Sequence, residues 1–287
     1  LKTMQRITIL IHCEDQKTII ASVTNYIASI DGNIIYLDQH VDAEANVFFM
    51  RLECEFSKTS WEIEAIKTDF QKNIATPFNM NWEIYPQDYK PKMALFISKY
   101  DHCLYDILGR YCAGELPVEI PLIISNHEDL KPVAERFNIP FFYVPFTKDN
   151  KEEGEKAQIE LLKKFDINFI VLARYMQIIT PGLIDLYPNK IINIHHSFLP
   201  AFPGAKPYHS AFKRGVKIIG ATSHYVTAEL DEGPIIEQDI LRVSHSHSIE
   251  DFIMKGRDLE RMVLIRAIKL HAERKTMVYN NKTVVFS

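Results

Sequence analysis

Cysteine is scarce. Cys13, Cys54, Cys103 and Cys112 are the only four in 287 residues, and no two stand in C-x-x-C spacing. That scatter argues against a zinc knot and against a disulfide framework, and it leaves reduced thiols as the expectation. A charge surplus is missing too, since 33 Lys+Arg against 37 Asp+Glu give a formal net charge of -4. Nothing therefore drives nonspecific attraction to nucleic acid or to anionic lipid, and a small molecule is the expected partner. No apolar run approaches the ~20 residues that a membrane helix needs, and no basic segment followed by an apolar stretch opens the sequence. No membrane association and a cytoplasmic location are the corresponding expectations. Repeats and low-complexity segments are lacking as well. What is present, 47% hydrophobic and 24% charged residues, is the profile of an ordinary folded chain. At roughly one domain per 150 residues, its length suggests two domains.

From Arg6 to Tyr85 the pattern reads strand, helix, strand, strand, helix, strand. Arg6 to His12 is a β-branched run, and after the polar turn Glu14-Asp15-Gln16-Lys17 the residues Ile19, Val23, Ile27 and Ile30 recur at helical spacing. Asp31-Gly32 is a helix terminator. Asn33–Val41 and Asn46–Phe56 form two strands around the acidic turn Asp42-Ala43-Glu44. Trp61, Ile66 and Phe70 share one side of a second helix, and Met80–Tyr85 completes the order of a ferredoxin-like βαββαβ module. The segment 86–91, with two prolines and few apolar groups, suits a linker. Beyond it, Met93–Ser98, Ile120–Ser125, Phe141–Val144, Asn168–Ala173 and Ile191–Ile194 are short apolar runs of the kind buried in a parallel sheet, with helical segments between them. Domains at 1–85 and 92–287 follow. The second is an open α/β sheet, which takes ligands beyond the carboxyl ends of its strands. A long amphipathic helix is expected over about Ile249–Arg274.

The densest chemistry follows the strand at Ile191. Asn193 and His195 point to one face of that strand, so an amide and an imidazole project together and could clamp an oxyanion. The strand Thr222–Val226 leads into Thr227-Ala228-Glu229-Leu230-Asp231-Glu232-Gly233-Pro234, where Gly233-Pro234 makes a tight turn that holds the Asp231 carboxylate. No nucleophile with special spacing accompanies the set. An amide, a histidine and an aspartate suit acyl transfer to water or to an amine without an acyl-enzyme. The same three residues would also serve structural ends, with Asn193 and His195 bonding backbone groups and Asp231 shaping a turn. His195-His196 and His245-x-His247 bring no third and fourth ligand, so no metal is expected.

Asn193-Ile194-His195 with Leu199-Pro200, Pro203-Gly204 and Leu230-Asp231-Glu232-Gly233-Pro234 resembles the folate-dependent formyltransferase superfamily. Longer stretches resemble its hydrolases, the 10-formyltetrahydrofolate deformylases: Cys13-Glu14-Asp15-Gln16-Lys17, Phe48-Phe49-Met50-Arg51, Leu172-Ala173-Arg174-Tyr175-Met176-Gln177, and the run from His195 to Ala205. The resemblance covers essentially the whole chain. It implies that residues 1–85 are an ACT domain and that the rest is a formyltransferase-type α/β domain. It also implies that Asn193, His195 and Asp231 match the catalytic triad. Folate would lie along Arg174, Tyr175, Met176, Gln177 and Ile178 and the loop from Val226, with Thr227, Gly233 and Gly204 as further contacts. His102, directly after Asp101 in the loop beyond the first strand of this domain, is expected to face the same pocket, where open α/β sheets gather their ligand contacts; a solvent-exposed loop histidine is the other reading. Met176 and Ile178 could equally be ordinary core.

The reaction implied is hydrolysis of 10-formyltetrahydrofolate to formate and tetrahydrofolate, with no cofactor beyond the folate substrate. It would supply formate for purine synthesis and balance the folate one-carbon pool. Related transferases that act on a phosphorylated ribonucleotide carry a glycine-rich loop after the first strand of this domain. Here Ser98-Lys99-Tyr100-Asp101-His102-Cys103-Leu104 has no glycine, so a phosphate cradle of free amides is not expected and water becomes the acceptor. Formyl transfer to an amine is the alternative, and a regulatory amino-acid-binding protein with a silent second half is another. ACT domains pair through their sheets, which implies a homodimer or homotetramer with an amino-acid effector, glycine or methionine. Thr18 departs from the glycine usual after Lys17 in that family, which would alter such an effector site.

Overall fold

The computed structural model describes residues 5–56, 62–146, 150–201 and 207–286. Trp61 and Gly204 lie outside them. The chain divides into two compact units, one reaching to Tyr89 and taking in the residues from Val285 onward, the other running from Lys90 to Val284.

The first unit contains β1 (Gln5–Glu14), α1 (Ile19–Ser29), β2 (Gly32–Asp42), β3 (Val47–Phe56), α2 (Ile63–Phe70) continued by a π-helical turn at Gln71–Ala75, and β4 (Asn81–Pro86). Its four-stranded sheet has the order β2-β3-β1-β4, and every pairing is antiparallel. The expected βαββαβ order holds. Ile19, Val23 and Ile27 of α1 pack with Ile7, Ile9 and Ile11 of β1 and with Ile66 and Phe70 of α2. The Asp31-Gly32 terminator works differently from its expectation. Asp31 takes the left-handed conformation (φ 59), whereas Gly32 is needed for space, because a Cβ there would lie 2.6 Å from the Phe56 ring. At the hairpin, Asp42 Oδ1 accepts from the Glu44 and Ala45 amides, each at 3.0 Å.

The second unit runs β5 (Lys92–Ile97), α3 (His102–Cys112), β6 (Glu119–Ser125), α4 (Lys131–Arg136), β7 (Phe141–Tyr143), α5 (Lys151–Lys164), β8 (Phe169–Ala173), α6 (Pro181–Leu186), β9 (Ile191–His195), α7 (Pro207–Arg214), β10 (Ile218–Tyr225), β11 (Ile235–Arg242), α8 (Ile249–Ala272), β12 (Thr276–Tyr279) and β13 (Lys282–Val285). The seven-stranded sheet has the order β11-β10-β9-β8-β5-β6-β7. Pairings from β9 through β7 are parallel, and β10 and β11 join antiparallel at one end. The sheet is therefore mostly parallel, as expected. Its apolar runs serve both faces. Met93, Leu95 and Ile97 join one core cluster while Ala94 and Phe96 join the other, and Phe169 and Val171 against Ile170 and Leu172 repeat the pattern on β8.

A capping box starts α8, with Ser248 Oγ accepting from the Asp251 amide at 3.2 Å and Asp251 Oδ2 accepting from the Ser248 amide at 2.8 Å. The helix stops at Ala272, and Arg274 takes a left-handed conformation (φ 58) that turns the chain into β12. The hairpin β12–β13, turning at Asn280 and Asn281 with φ 45 and 58, and the strand β11 are elements beyond the sequence reading.

Candidate active site

β8 and β9 are parallel neighbours with Leu172 opposite Asn193, so the chain leaving β8 at Arg174 rises beside His195 at the carboxyl end of β9. β10 runs the other way, with Thr222 opposite His195 and His224 opposite Asn193. The loop after β10 begins beside Ile191, whose carbonyl accepts from the Val226 amide at 2.8 Å, and it climbs back to bring Asp231 to His195. These pieces enclose a cavity of about 340 Å³.

Asn193, His195 and Asp231 all line that cavity, together with His224. Asp231 Oδ2 lies 3.2 Å from His195 Nδ1, and its Oδ1 lies 3.6 Å from His224 Nε2. Asn193 Nδ2 is 3.3 Å from the same His224 nitrogen. His195 is 5% exposed, and with Nδ1 turned to the carboxylate its Nε2 is buried without a partner among the described residues. A buried ring nitrogen left free at a cavity wall is available to a ligand. The facing imidazoles, His195 first and then His224, hold Asp231 well below the usual carboxylate range, outweighing the opposing effect of burial. The carboxylate is thus ionised at neutral pH and faces two imidazoles. His224, given no role by the sequence reading, is the residue that joins Asp231 to Asn193.

The Asp231 loop has a local cause. Asp231 itself adopts the left-handed conformation (φ 58). Gly233 does not line the cavity; it lies so close to β10 that a Cβ would come 1.8 Å from the Tyr225 carbonyl. Its place is the root of the loop. Tyr225 is anchored there, its hydroxyl 2.8 Å from His271 Nδ1 and 2.7 Å from Thr276 Oγ1. Burial pushes the His271 imidazole down to about 3, so this anchor is uncharged at neutral pH.

Arg174, Tyr175, Met176, Gln177 and Ile178 line the opposite wall, and Thr227 lines the loop side. Ser98 Oγ accepts from the Met176 amide at 3.2 Å and donates to Asn126 Oδ1 at 2.6 Å, which fixes this segment to the end of β5. Tyr175 is packed edge-on to Phe96 and takes a bond from Gln158 Nε2 at 2.9 Å. Met176 and Ile178 are exposed, which rules out the core-packing reading for both. With Leu230 they form an apolar mouth suited to a flat ring.

His102 departs from its expected place on the cavity wall. As the first residue of α3 its ring turns to Glu260 of α8, with Nε2 2.9 Å from Oε2, and it lines a separate shallow cleft with Ile253, Met254 and Arg257. His102, Cys103 and Glu260 bring ligand-type atoms within 4.8 Å of one another. Burial raises the Cys103 thiol well above its ordinary range, and the Arg174 guanidinium, with Nε 3.5 Å from Glu260, already supplies the positive charge. This group fits an ion pair better than a metal.

Comparison with known proteins follows the same lines. Residues 91–268 match the Formyl transferase family. The chain is 51% identical over 280 residues to the formyltetrahydrofolate deformylase of Synechocystis sp., covering 98% of each protein. The crystal structure of a formyltetrahydrofolate deformylase from Pseudomonas syringae superposes with a TM-score of 0.96 at 44% identity, over 99% of this chain and 95% of that one. A glycinamide ribonucleotide transformylase from Symbiobacterium toebii reaches a TM-score of 0.65 at 29% identity and covers 71% of this chain and 97% of that one. The full-length likeness is to the hydrolases, and by it the chain belongs to the formyltetrahydrofolate deformylases of the formyl transferase family.

Proposed function

We propose that the protein hydrolyses 10-formyltetrahydrofolate, releasing formate and tetrahydrofolate. The carrying observation is an ionised Asp231 bound to His195 beside Asn193 in a cavity whose mouth is apolar. Folate enters along Arg174 to Ile178 and the loop from Val226, and its formyl group reaches Asn193 and His195. Asp231 places a water against the formyl carbon. A carboxylate held so far below its usual range is a weak base, so besides taking the water's proton as the C–O bond forms, Asp231 holds the imidazole in one orientation. As the C–O bond forms, Asn193 Nδ2–H and the Nε2–H that His195 presents when both of its ring nitrogens carry a proton stabilise the oxyanion. The intermediate collapses by breaking the bond to N10, which takes up the proton that Asp231 accepted from the water as tetrahydrofolate leaves.

The test is incubation with 10-formyltetrahydrofolate and no amine while formate is followed. Release of formate supports hydrolysis. No turnover until an amine is added makes the protein a transferase instead.

The first unit fits a regulatory and oligomer-forming ACT role, and the assembly we propose is a homodimer or homotetramer. Its Asp15, Gln16, Thr18, Gln39 and Phe48 line a cavity of about 360 Å³, of a size for an amino acid such as glycine or methionine. Thr18 there is left-handed (φ 73), a conformation that glycine takes without strain. No helix among the described residues is long and apolar enough to cross a membrane. A cytoplasmic site of action, feeding formate to purine synthesis, completes the proposal, which invokes no cofactor.

A further inference from the structure

Glu260 is 1% exposed, and both of its oxygens are engaged. Oε1 accepts from the Tyr208 hydroxyl at 2.7 Å, while Oε2 lies 2.9 Å from His102 Nε2 and 3.5 Å from Arg174 Nε. The Tyr208 ring meets the His196 ring at 5.8 Å, and His196 meets His195 at 5.3 Å. Tyr208 fits there because residue 256 on α8 is glycine; a Cβ would come 2.1 Å from its ring. One carboxylate that does not line the cavity thus has contacts ending on two of its walls, at Arg174 after β8 and at His195 on β9.

Arg174 is the unusual member. It is 9% exposed and left-handed (φ 63), and its guanidinium lies 4.7 Å above the Tyr100 ring. A strained backbone of this kind persists where the surroundings over-determine it. The carboxylates on the wall of the cavity that Arg174 lines are Glu229 and Asp231. Released from Glu260, Arg174 would be a largely buried cation without its counter-ion, and Asp231 is the ionised, half-buried group that would attract it. Glu260 is itself charged. Burial raises its pKa, but the His102 hydrogen bond and the Arg174 charge outweigh that and the net direction is down.

Resting on the hydrolase reading above, we propose that Glu260 is a positioning residue: it holds the Arg174 guanidinium on Tyr100, away from Asp231, and seats Tyr208 behind His196 and His195. Asp231 is thereby left to its imidazole partners and to water.

The test is a charge-removal series read on formate release. Glu260→Gln frees Arg174, and kcat should fall about tenfold to a hundredfold while KM for 10-formyltetrahydrofolate changes by less than about threefold. Adding Arg174→Gln removes the freed cation, and kcat should recover at least about fivefold over the single variant, whatever KM then does. A purely structural role would lower the melting temperature and kcat together and would gain nothing from the second change. A Glu260→Gln protein within about twofold of the parent in kcat, or a double variant no faster than the single one, overturns the proposal. If Glu260→Gln alone does not fold, the double variant, which buries no unpaired charge, is compared with Arg174→Gln alone. Equal kcat within about threefold supports the proposal, and a double variant about tenfold slower sinks it. The parent protein assayed without amine tests the hydrolase reading separately. Should it prove a transferase, the same series is scored on formyl transfer.

Discussion

Replacing Asp231 by Asn keeps the shape of the side chain and removes its charge. In the parent, the two oxygens lie 3.2 Å from His195 Nδ1 and 3.6 Å from His224 Nε2, and the side chain is 19% exposed. A hydrogen bond involving a charged group contributes about 1.5–3 kcal/mol to stability. The stability loss should therefore be ~1–3 kcal/mol, or about 2–4 °C in melting temperature for each kcal/mol in a unit of this size. The catalytic loss should be larger. Removing a positioned acid/base group costs about 10²–10⁴-fold, which at about 1.36 kcal/mol per decade is ~3–5 kcal/mol of barrier. Formate release under steady-state conditions reads the barrier, urea unfolding reads the stability, and folate titration by calorimetry should show binding retained. The pH dependence has a definite sign. Asp231 has a folded pKa below its unfolded value of ~3.9, so its stabilisation is fully present above that value and is lost as the pH falls toward the folded one. The difference in unfolding free energy between parent and variant should thus be present at neutral pH and shrink below about pH 4. A variant whose kcat/KM stays within about tenfold of the parent would refute the role given to Asp231.

Two further outcomes are expected. Gly233→Ala drives a Cβ to 1.8 Å from the Tyr225 carbonyl, so the loop must move; we expect a loss of ~1–3 kcal/mol and a fall in formate release, and an unchanged melting curve with full activity would contradict it. Thr18→Gly relieves a left-handed β-branched residue (φ 73) and should stabilise the protein by about 1 kcal/mol in urea unfolding. The same variant, titrated calorimetrically with glycine and with methionine alongside light scattering, tests the effector site: a monomer with no heat of binding, parent and variant alike, removes both regulatory proposals.

The parallel strands were legible because burial on both faces leaves a continuous apolar run, as in Met93–Ile97, whose five residues are all 0% exposed. β11 was not, since it is an outer strand that interleaves Glu237, Gln238, Asp239 and Arg242 with its apolar residues. The hairpin turn at Asn280-Asn281 does have a local signal, two consecutive asparagines that tolerate the left-handed region. Asn193, His195 and Asp231 could be chosen from residue type and placement, but His224 joins them only through a cross-strand register that no local pattern encodes. Glu260 reads in sequence as a polar residue on an amphipathic helix. Only the arrival of His102, Arg174 and Tyr208 from three other segments turns it into a buried anion. His102 was misplaced for the same reason, because its neighbour Asp101 fixes where the backbone goes but not where the ring turns.

The reversal of direction at β10 has a consequence for how the protein fluctuates. Asn193, His195, His224 and Asp231 all belong to the β9–β11 end of the sheet, where β11 has a single neighbour. A sheet opens from its margins at lower free energy than through its middle. Sub-global opening of β11 and the loop before it would draw Asp231 away from His195 while β9 and the strands beyond it stayed paired, so activity has a shorter lifetime than the fold. The uncharged Tyr225–His271–Thr276 knot lies where that opening would begin to spread inward. It ties the last residue of β10 to α8 and to β12, and so sets a limit to how far each excursion runs before the strand returns to register.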